Sequence, residues 1–292
     1  MLISLFAVMG MAMNAETIKY TDGDFKYSLD TETKTAALSK YSGSATEVTI
    51  PESVTHYGVT YSVTSLGDEC FLGCSSLTSV NIPSSVTSLG DYCFNECESL
   101  TSITIPSSVT SLGDRCFNDC KSLTSINIPS SVTSLGEGCF CECTSLTSVT
   151  IPSSVTSLGS YCFNYCSSLT SIDIPSSVTS LGEGCFHRCK SLKTMTCEIP
   201  TAIEGNFFSS TPIGQATLYV PESSLLSYQS TSPWSSFGTI LPISTTGIGE
   251  IATDGDACID AIYNLEGKRC NGTNRGLTII RMSDGTTRKV LK

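Results

Sequence analysis

The 292-residue chain carries 16 Lys and Arg against 27 Asp and Glu, a formal charge of −11, so it repels a phosphate backbone and offers no basic footprint for nucleic acid or anionic lipid. Only 15% of its residues are charged, where about a quarter is typical, yet 40% are hydrophobic and the mean hydropathy is +0.12; the chain is too apolar for disorder, and Ser and Thr must coat its surface. Two histidines in all, His56 and His187, leave little material for a histidine-based triad or a multi-histidine metal site.

In chain order, residues 1–15 read as an export signal: an apolar run from Leu2 to Met13, small residues, and cleavage after Ala12 or Ala15, before the first charge at Glu16. The run is shorter than the ~20 apolar residues of a membrane span, and no later segment approaches that length. The mature chain is therefore expected at the cell surface or outer membrane, or secreted, without a transmembrane span. Residues 16–66 read as an amino-terminal cap with a degenerate first repeat, whose Ile50-Pro51 pair lies 32 residues before Ile82-Pro83.

Residues 67–192 repeat with a period of 23: Ile-Pro recurs at Ile82, Ile105, Ile128, Ile151 and Ile174. The first copy carries nine residues more than the period. Within a unit, Val80 and Ile82 alternate with Ser79 and Asn81, the period-2 pattern of a strand with one buried face. Pro83 ends that strand, since it lacks a ladder donor. Val86 and Leu89 supply a second extended piece with inward side chains, and Gly90 permits a turn. Cys93, Phe94 and Cys97 then have the spacing of one or two helical turns. No such coil buries its apolar side alone, so coils must stack, at about 4.8 Å, into a repeat solenoid with a parallel β-sheet on one face and short helices or turns on the other.

Stacking turns each repeat position into a column. Two cysteine columns, Cys70 to Cys185 and Cys74 to Cys189, account for twelve of the 16 cysteines. Packing as small buried hydrophobes is favoured over intercoil disulfides, because a disulfide needs Cβ atoms about 3.8 Å apart. A metal site is disfavoured by the Cys-x3-Cys spacing. The acids Asp68, Asp91, Asp114, Glu137 and Glu183 read as caps on the amino ends of the short helices rather than as calcium ligands. Ser79/Asn81 and their equivalents form the wet face of the sheet, where hydroxyl rows are expected to bond one another. Variation concentrates at two positions around the short helix. It places Tyr92, Arg115, Tyr161, Tyr165 and Arg188, residue types that interfaces favour, in an otherwise copied text. These five are the candidate binding residues; neutral drift of exposed loops is the competing account. His187, on the last short helix, is expected to be exposed.

After Leu192 the period breaks and the coils are expected to end. Residues 193–244 read as a carboxy-terminal cap: Ala216 to Pro221 form a final strand, and Leu225, Tyr228, Trp234 and Phe237 an aromatic helix and loop that plug the core. Residues 245–256 read as a linker rich in Gly, Thr and acid. Residues 257–292 hold seven bases against three acids and read as a small β module with strands near Asp260–Leu265, Lys268–Cys270, Arg275–Arg281 and Arg288–Lys292.

The Phe-x-x-Cys-x-Ser-Leu-Thr segment followed by a strand and Ile-Pro resembles the leucine-rich repeat of the BspA-like surface proteins, over roughly Tyr20 to Ile243. Val48-Thr-Ile-Pro and Leu218-Tyr-Val-Pro with Trp234-Ser-Ser-Phe are similar to that family's two caps. Cysteine stands where the family pattern has Ala before Phe. The carboxy-terminal module, with Ile262-Tyr-Asn-Leu and a terminal Lys-Val-x-Lys, resembles type IX sorting domains of Bacteroidetes. The resemblance implies an exported, non-enzymatic adhesion or protein-binding protein whose partner is a host extracellular protein or glycan, acting as a monomer, with no catalytic residue, no metal and no cofactor. Capture of carbohydrate at the surface or in the periplasm is the alternative.

Overall fold

The computed structural model describes residues 17–243 and the backbone of three later strands. The expected signal and the linker lie outside the described residues. Contacts divide the chain into one unit up to Leu241 and a second from Pro242. In the second unit, Ile259–Tyr263, Leu277–Met282 and Thr287–Leu291 form a three-stranded antiparallel sheet. The strand expected at Lys268–Cys270, and Cys258 and Cys270 themselves, lie outside the described residues.

The first unit is the expected solenoid, with two parallel ladders of strands. One contains Ser125–Asn127, Ser148–Thr150 and Ser171–Ile174, each paired parallel to the next 23 residues onward, while the equivalent Ser79–Asn81 pairs with Glu47–Thr49 of the degenerate first repeat, 32 residues before it, in a two-stranded sheet. The second is built from Ser-Leu pairs, Ser88–Leu89 through Ser180–Leu181, also one period apart. Between the ladders lies the core. Val80, Ile82, Val86, Leu89 and Leu100 are all buried, as the alternation predicts. Phe71 to Phe186 stack in one row from Tyr41 to Phe208, with neighbouring ring centroids 5.1 to 5.8 Å apart.

The amino-terminal cap is a meander, Thr17–Asp22, Phe25–Asp30 and Thr35–Tyr41, that joins the Ser-Leu sheet through Val59–Leu66. The nine extra residues build a hairpin, Ser53–His56 against Val59–Leu66, turned by Tyr57 and Gly58. At the other end the coil geometry outlasts the sequence period. Thr194–Cys197, Thr217–Val220 and Thr239–Pro242 extend the first ladder, and Phe208 continues the ring stack. Trp234, fully buried, closes the core edge-on to Phe208 and donates its indole N–H to the Ile203 carbonyl at 2.7 Å.

The expected short helices are absent from the coils, and turns stand in their place. A helix would keep its amides for its own carbonyls. Here alternate amides leave the coil: Tyr92, Phe94 and Glu96 donate to the Asp114, Cys116 and Asn118 carbonyls of the next coil at 2.8 to 2.9 Å. Only the intervening amides close local turns, such as Asn95 to the Tyr92 carbonyl at 3.1 Å. The neighbouring coil therefore outcompetes the helix for half the donors. The acids are corrected accordingly. The three aspartates each accept the backbone amide one coil onward instead of capping their own segment: Asp68 from Asp91 at 2.9 Å, Asp91 from Asp114 at 2.8 Å, Asp114 from Glu137 at 2.7 Å, while the Glu137 carboxylate meets Arg115.

The Ser-Ser-Val-Thr text, apart from the Ser79/Asn81 rows of the wet face, is likewise bonded between coils. In the coils, hydroxyls reach back to carbonyls of the preceding coil rather than to one another, as Ser154 does to Val132 at 2.6 Å, Ser177 to Val155 at 2.7 Å and Thr156 to Thr133 at 3.2 Å. Each such bond contributes about 1 kcal/mol. The Ser-Ser-Val-Thr text is thus intercoil bonding as well as surface.

All fourteen described cysteines are free, and all but Cys74 are buried. The second column has a use beyond packing. Cys97, Cys120, Cys143, Cys166 and Cys189 each donate a thiol hydrogen to the carbonyl of the Phe in the preceding coil, at 3.2 to 3.3 Å. At the next coil Thr211 takes the same place, its hydroxyl donating to the Phe186 carbonyl. A hydroxyl replacing a thiol at one point of the column identifies donation, as well as bulk, as the requirement.

Candidate functional site

The turns between Asp91 and Cys97, and their copies, form a third face beside the two sheets. Both variable columns lie on it, and both have left-handed backbone. The first runs Glu69, Tyr92, Arg115, Gly138, Tyr161, Gly184 at φ of 52° to 62°. The second runs Gly73, Glu96, Asp119, Glu142, Tyr165, Arg188, Ser210 at φ of 58° to 71°. Glycine meets this geometry freely, whereas an L side chain costs about 1–2 kcal/mol. Three glycines and ten other residues occupy the thirteen positions.

The five candidate residues fall on this face and pair within columns. The Arg115 guanidinium lies 6.0 Å from the Tyr92 ring centroid and 3.3 Å from Glu137 Oε1. That of Arg188 lies 4.5 Å from the Tyr165 ring. Tyr161 lies against Gly184, where an added Cβ would stand 2.5 Å from its ring. Side chains of the first column therefore lean toward the next coil, and Gly184 makes the room. Tyr92 and Tyr161 are each 37% exposed, Arg115 is exposed, and Tyr165 and Arg188 shield one another.

Between the columns runs a polar row. Asn118 donates its amide to Asn95 Oδ1 at 2.6 Å, and Asn164 to Cys141 Sγ at 3.4 Å, so Cys141 interrupts an asparagine ladder. The row ends at His187, which is half-buried rather than exposed because its turn is roofed by the following coil, through Arg188 N–H to the Ser209 carbonyl. Acids dominate the earlier coils of the face, and their cations are paired: Lys121 bridges Glu98 at 2.7 Å and Asp119 at 3.2 Å.

Two features were not anticipated from the sequence. Tyr57, 94% exposed at the hairpin tip, has its ring 4.3 Å from His56, which in turn lies 4.5 Å from Tyr20. The signal was available, since Tyr57-Gly58 separates two alternating runs by two residues. Cys74, the first of the donor column, has no Phe carbonyl before it and lines an open groove of about 290 Å³ with Tyr41, Ala45 and Leu72. Among the described residues no group of three or more His, Cys, Asp or Glu is placed to hold a metal ion, and no helix is long and apolar enough to cross a membrane.

The sequence profile described as BspA type Leucine rich repeat region matches residues 39–133 and 113–224, in six copies. Among solved structures, a leucine-rich cell surface protein from Faecalibacterium prausnitzii is 26% identical with a TM-score of 0.52, covering 77% of this chain and 72% of that one. A leucine-rich repeat protein of T. pallidum is 29% identical with a TM-score of 0.57, covering 65% of this chain and 86% of its own. Among curated proteins none matches the chain.

Proposed function

The chain belongs to the BspA-type leucine-rich repeat family, and from that premise we propose that it is a non-enzymatic cell-surface or secreted protein that binds host extracellular proteins through its turn face. The cell-surface description of the Faecalibacterium relative supports the location. The observation that carries the binding face is the backbone of the two variable columns. Ten non-glycine side chains stand where glycine would cost nothing, and the aromatic and arginine residues among them are solvent-facing or stacked on one another. Strain retained at the variable positions of an otherwise uniform frame supports this reading.

The test is capture from host matrix and mucus, with the mature repeats as bait and Tyr92, Arg115 and Tyr161 changed together to Ala. Wild-type bait retains a host protein, and the triple variant, of unchanged unfolding midpoint, loses it. Unchanged capture removes this face. Protease shaving of intact cells tests location; full protection of the repeats behind a sealed outer membrane contradicts surface display. Carbohydrate capture is the second reading, favoured by the exposed Tyr57 ring, backed by the half-buried His56 and Tyr20 rings, which suits stacking against sugar. Binding to a glycan array that Tyr57→Ala abolishes, with no matrix protein retained, supports it.

A further inference from the structure

The stack treats its cations unequally. Arg115 and Lys121, in the middle coils, each meet a carboxylate. Arg188, Lys190 and Lys193, three cations within six residues on the last full coil, meet none within ion-pair distance among the described residues. Their neighbours explain why. Arg188 is backed by Tyr165 in the preceding coil and Ser209 in the following one. Lys193 bonds Thr170 behind and Thr217 ahead through its backbone. Lys190 lies one period after Ser167, where Lys121 lies one period after Glu98. At each of the three places a hydroxyl or aromatic residue occupies the neighbouring positions where an acid would neutralise the charge.

In a chain of net charge −11, a basic cluster that is flanked by hydroxyls and makes no ion pair among the described residues is a local inversion of the field. We propose that the last full coil, through Arg188, Lys190 and Lys193 with Tyr165 positioning the guanidinium, binds an anionic polysaccharide bearing sulfate or carboxylate groups. The shape of the patch favours a sugar chain over an acidic peptide. No large apolar side chain of this coil is exposed, so there is no pocket for a peptide anchor. Ser167, Ser168, Ser209 and Ser210 flank the cations with groups that both donate to and accept from sugar hydroxyls. The guanidinium, held over the Tyr165 ring at 4.5 Å, is preorganised for a bidentate contact with a sulfate or carboxylate.

The inference shares with the proposed function the turn face and two of its residues, Tyr165 and Arg188, but its test substitutes Lys190 and Lys193 where that of the proposed function substitutes Tyr92, Arg115 and Tyr161, so the two fail separately. The full-length chain is titrated by surface plasmon resonance against immobilised heparin, with hyaluronan, poly-glutamate and single-stranded DNA as competitors. Binding is expected to weaken with salt, as screening of exposed charges requires. Lys190→Glu/Lys193→Glu is expected to lose roughly tenfold or more in affinity. Lys26→Glu/Lys121→Glu, which changes the net charge equally, is expected to lose less than about twofold on the same scale. The basic segment 257–292 is common to both variants and cancels from the comparison. Equal losses in the two variants, no heparin binding by the wild type, or stronger competition by poly-glutamate or DNA than by heparin overturns the proposal.

Discussion

The glycine that opens each turn limits how closely coils approach, and Gly159→Ala measures that limit. An ideal Cβ at Gly159 would lie 2.5 Å from the Gly136 carbonyl carbon and 2.6 Å from both the Glu137 nitrogen and the Gly136 oxygen. All three are backbone atoms of the preceding coil, so no side chain can swing aside. Nonbonded carbons sit at about 3.5–4.0 Å, and the coils must part locally by about 1 Å. Gly159 N–H to the Leu135 carbonyl at 2.9 Å and Gly138 N–H to the Ser160 carbonyl at 2.8 Å span that gap. Stretching two or three such bonds at about 1 kcal/mol each gives a loss of about 2–3 kcal/mol, within the range for overpacking. Two variants calibrate it. Gly136→Ala meets the equivalent backbone of its preceding coil, Asp114 N and Gly113 C, at 2.9 Å and the Asp114 carboxylate, a side chain, at 2.6 Å, and is expected to lose less. Gly58→Ala, at φ +76° with nothing within 4 Å, pays only the left-handed backbone cost of about 1 kcal/mol. Urea unfolding followed by Trp234 fluorescence ranks the three. A Gly159→Ala midpoint equal to that of wild type or of Gly58→Ala would show that coil contact does not set the glycine.

Alkali is expected to destabilise the protein through its thiols: burial pushes Cys189 up to about 12 and Cys197 to about 11, and raises Cys93, Cys139 and Cys185 as well. The unfolded thiols release their protons above about pH 8.5 while the native ones hold theirs, so their contribution is full below that pH and falls above it by up to about 1.4 kcal/mol per pH unit per thiol; urea midpoints under reducing conditions are flat below pH 8 and drop steeply above 9, and a flat profile to pH 10 contradicts the burial. Cys120→Ser keeps the donor to the Phe94 carbonyl and Cys120→Val removes it, so Val is expected to be less stable by about 1 kcal/mol, and equal midpoints would leave bulk as the only requirement. Cys141→Asn joins Asn118 to Asn164 in one ladder and is expected to raise stability by about 1 kcal/mol in the same assay; a loss would show that the thiol, not the ladder, suits that place.

The inward columns were legible because burial repeats within one coil: Val80, Ile82, Val86 and Leu89 alternate with polar neighbours whatever lies above them. The turn face was not. Cys93, Phe94 and Cys97 have helical spacing, but the donors that decide between helix and turn belong to bonds between coils, and a single unit of text does not show which carbonyl lies over which amide. For the same reason Cys97 was legible as a small buried residue and not as the partner of the Phe71 carbonyl. The candidate residues were found by their variability, while their shared left-handed backbone emerged only from the structure. Gly138 and Gly184 were the available hint: two glycines in a column that otherwise holds Glu, Tyr and Arg mark a position whose conformation glycine satisfies best.

That hint also explains why variation settles where it does. Most positions of a coil are constrained twice, by the coil before and the coil after: Gly159 by backbone contact, Cys120 by a thiol bond, Phe117 by rings on both sides. A change at one of them must be matched in its neighbours, so the text is copied as a block. The left-handed positions contribute their amides to the next coil, and their side chains meet mainly their own column, as Tyr161 meets Gly184 and Tyr165 meets Arg188, so the cost of a non-glycine residue there stays within that column. Ten such costs, each about 1–2 kcal/mol, are sustainable only because the ladders that hold the coils together are repeated through the stack. The uniformity of the frame is therefore what permits strained, recognisable side chains to be displayed on its turn face.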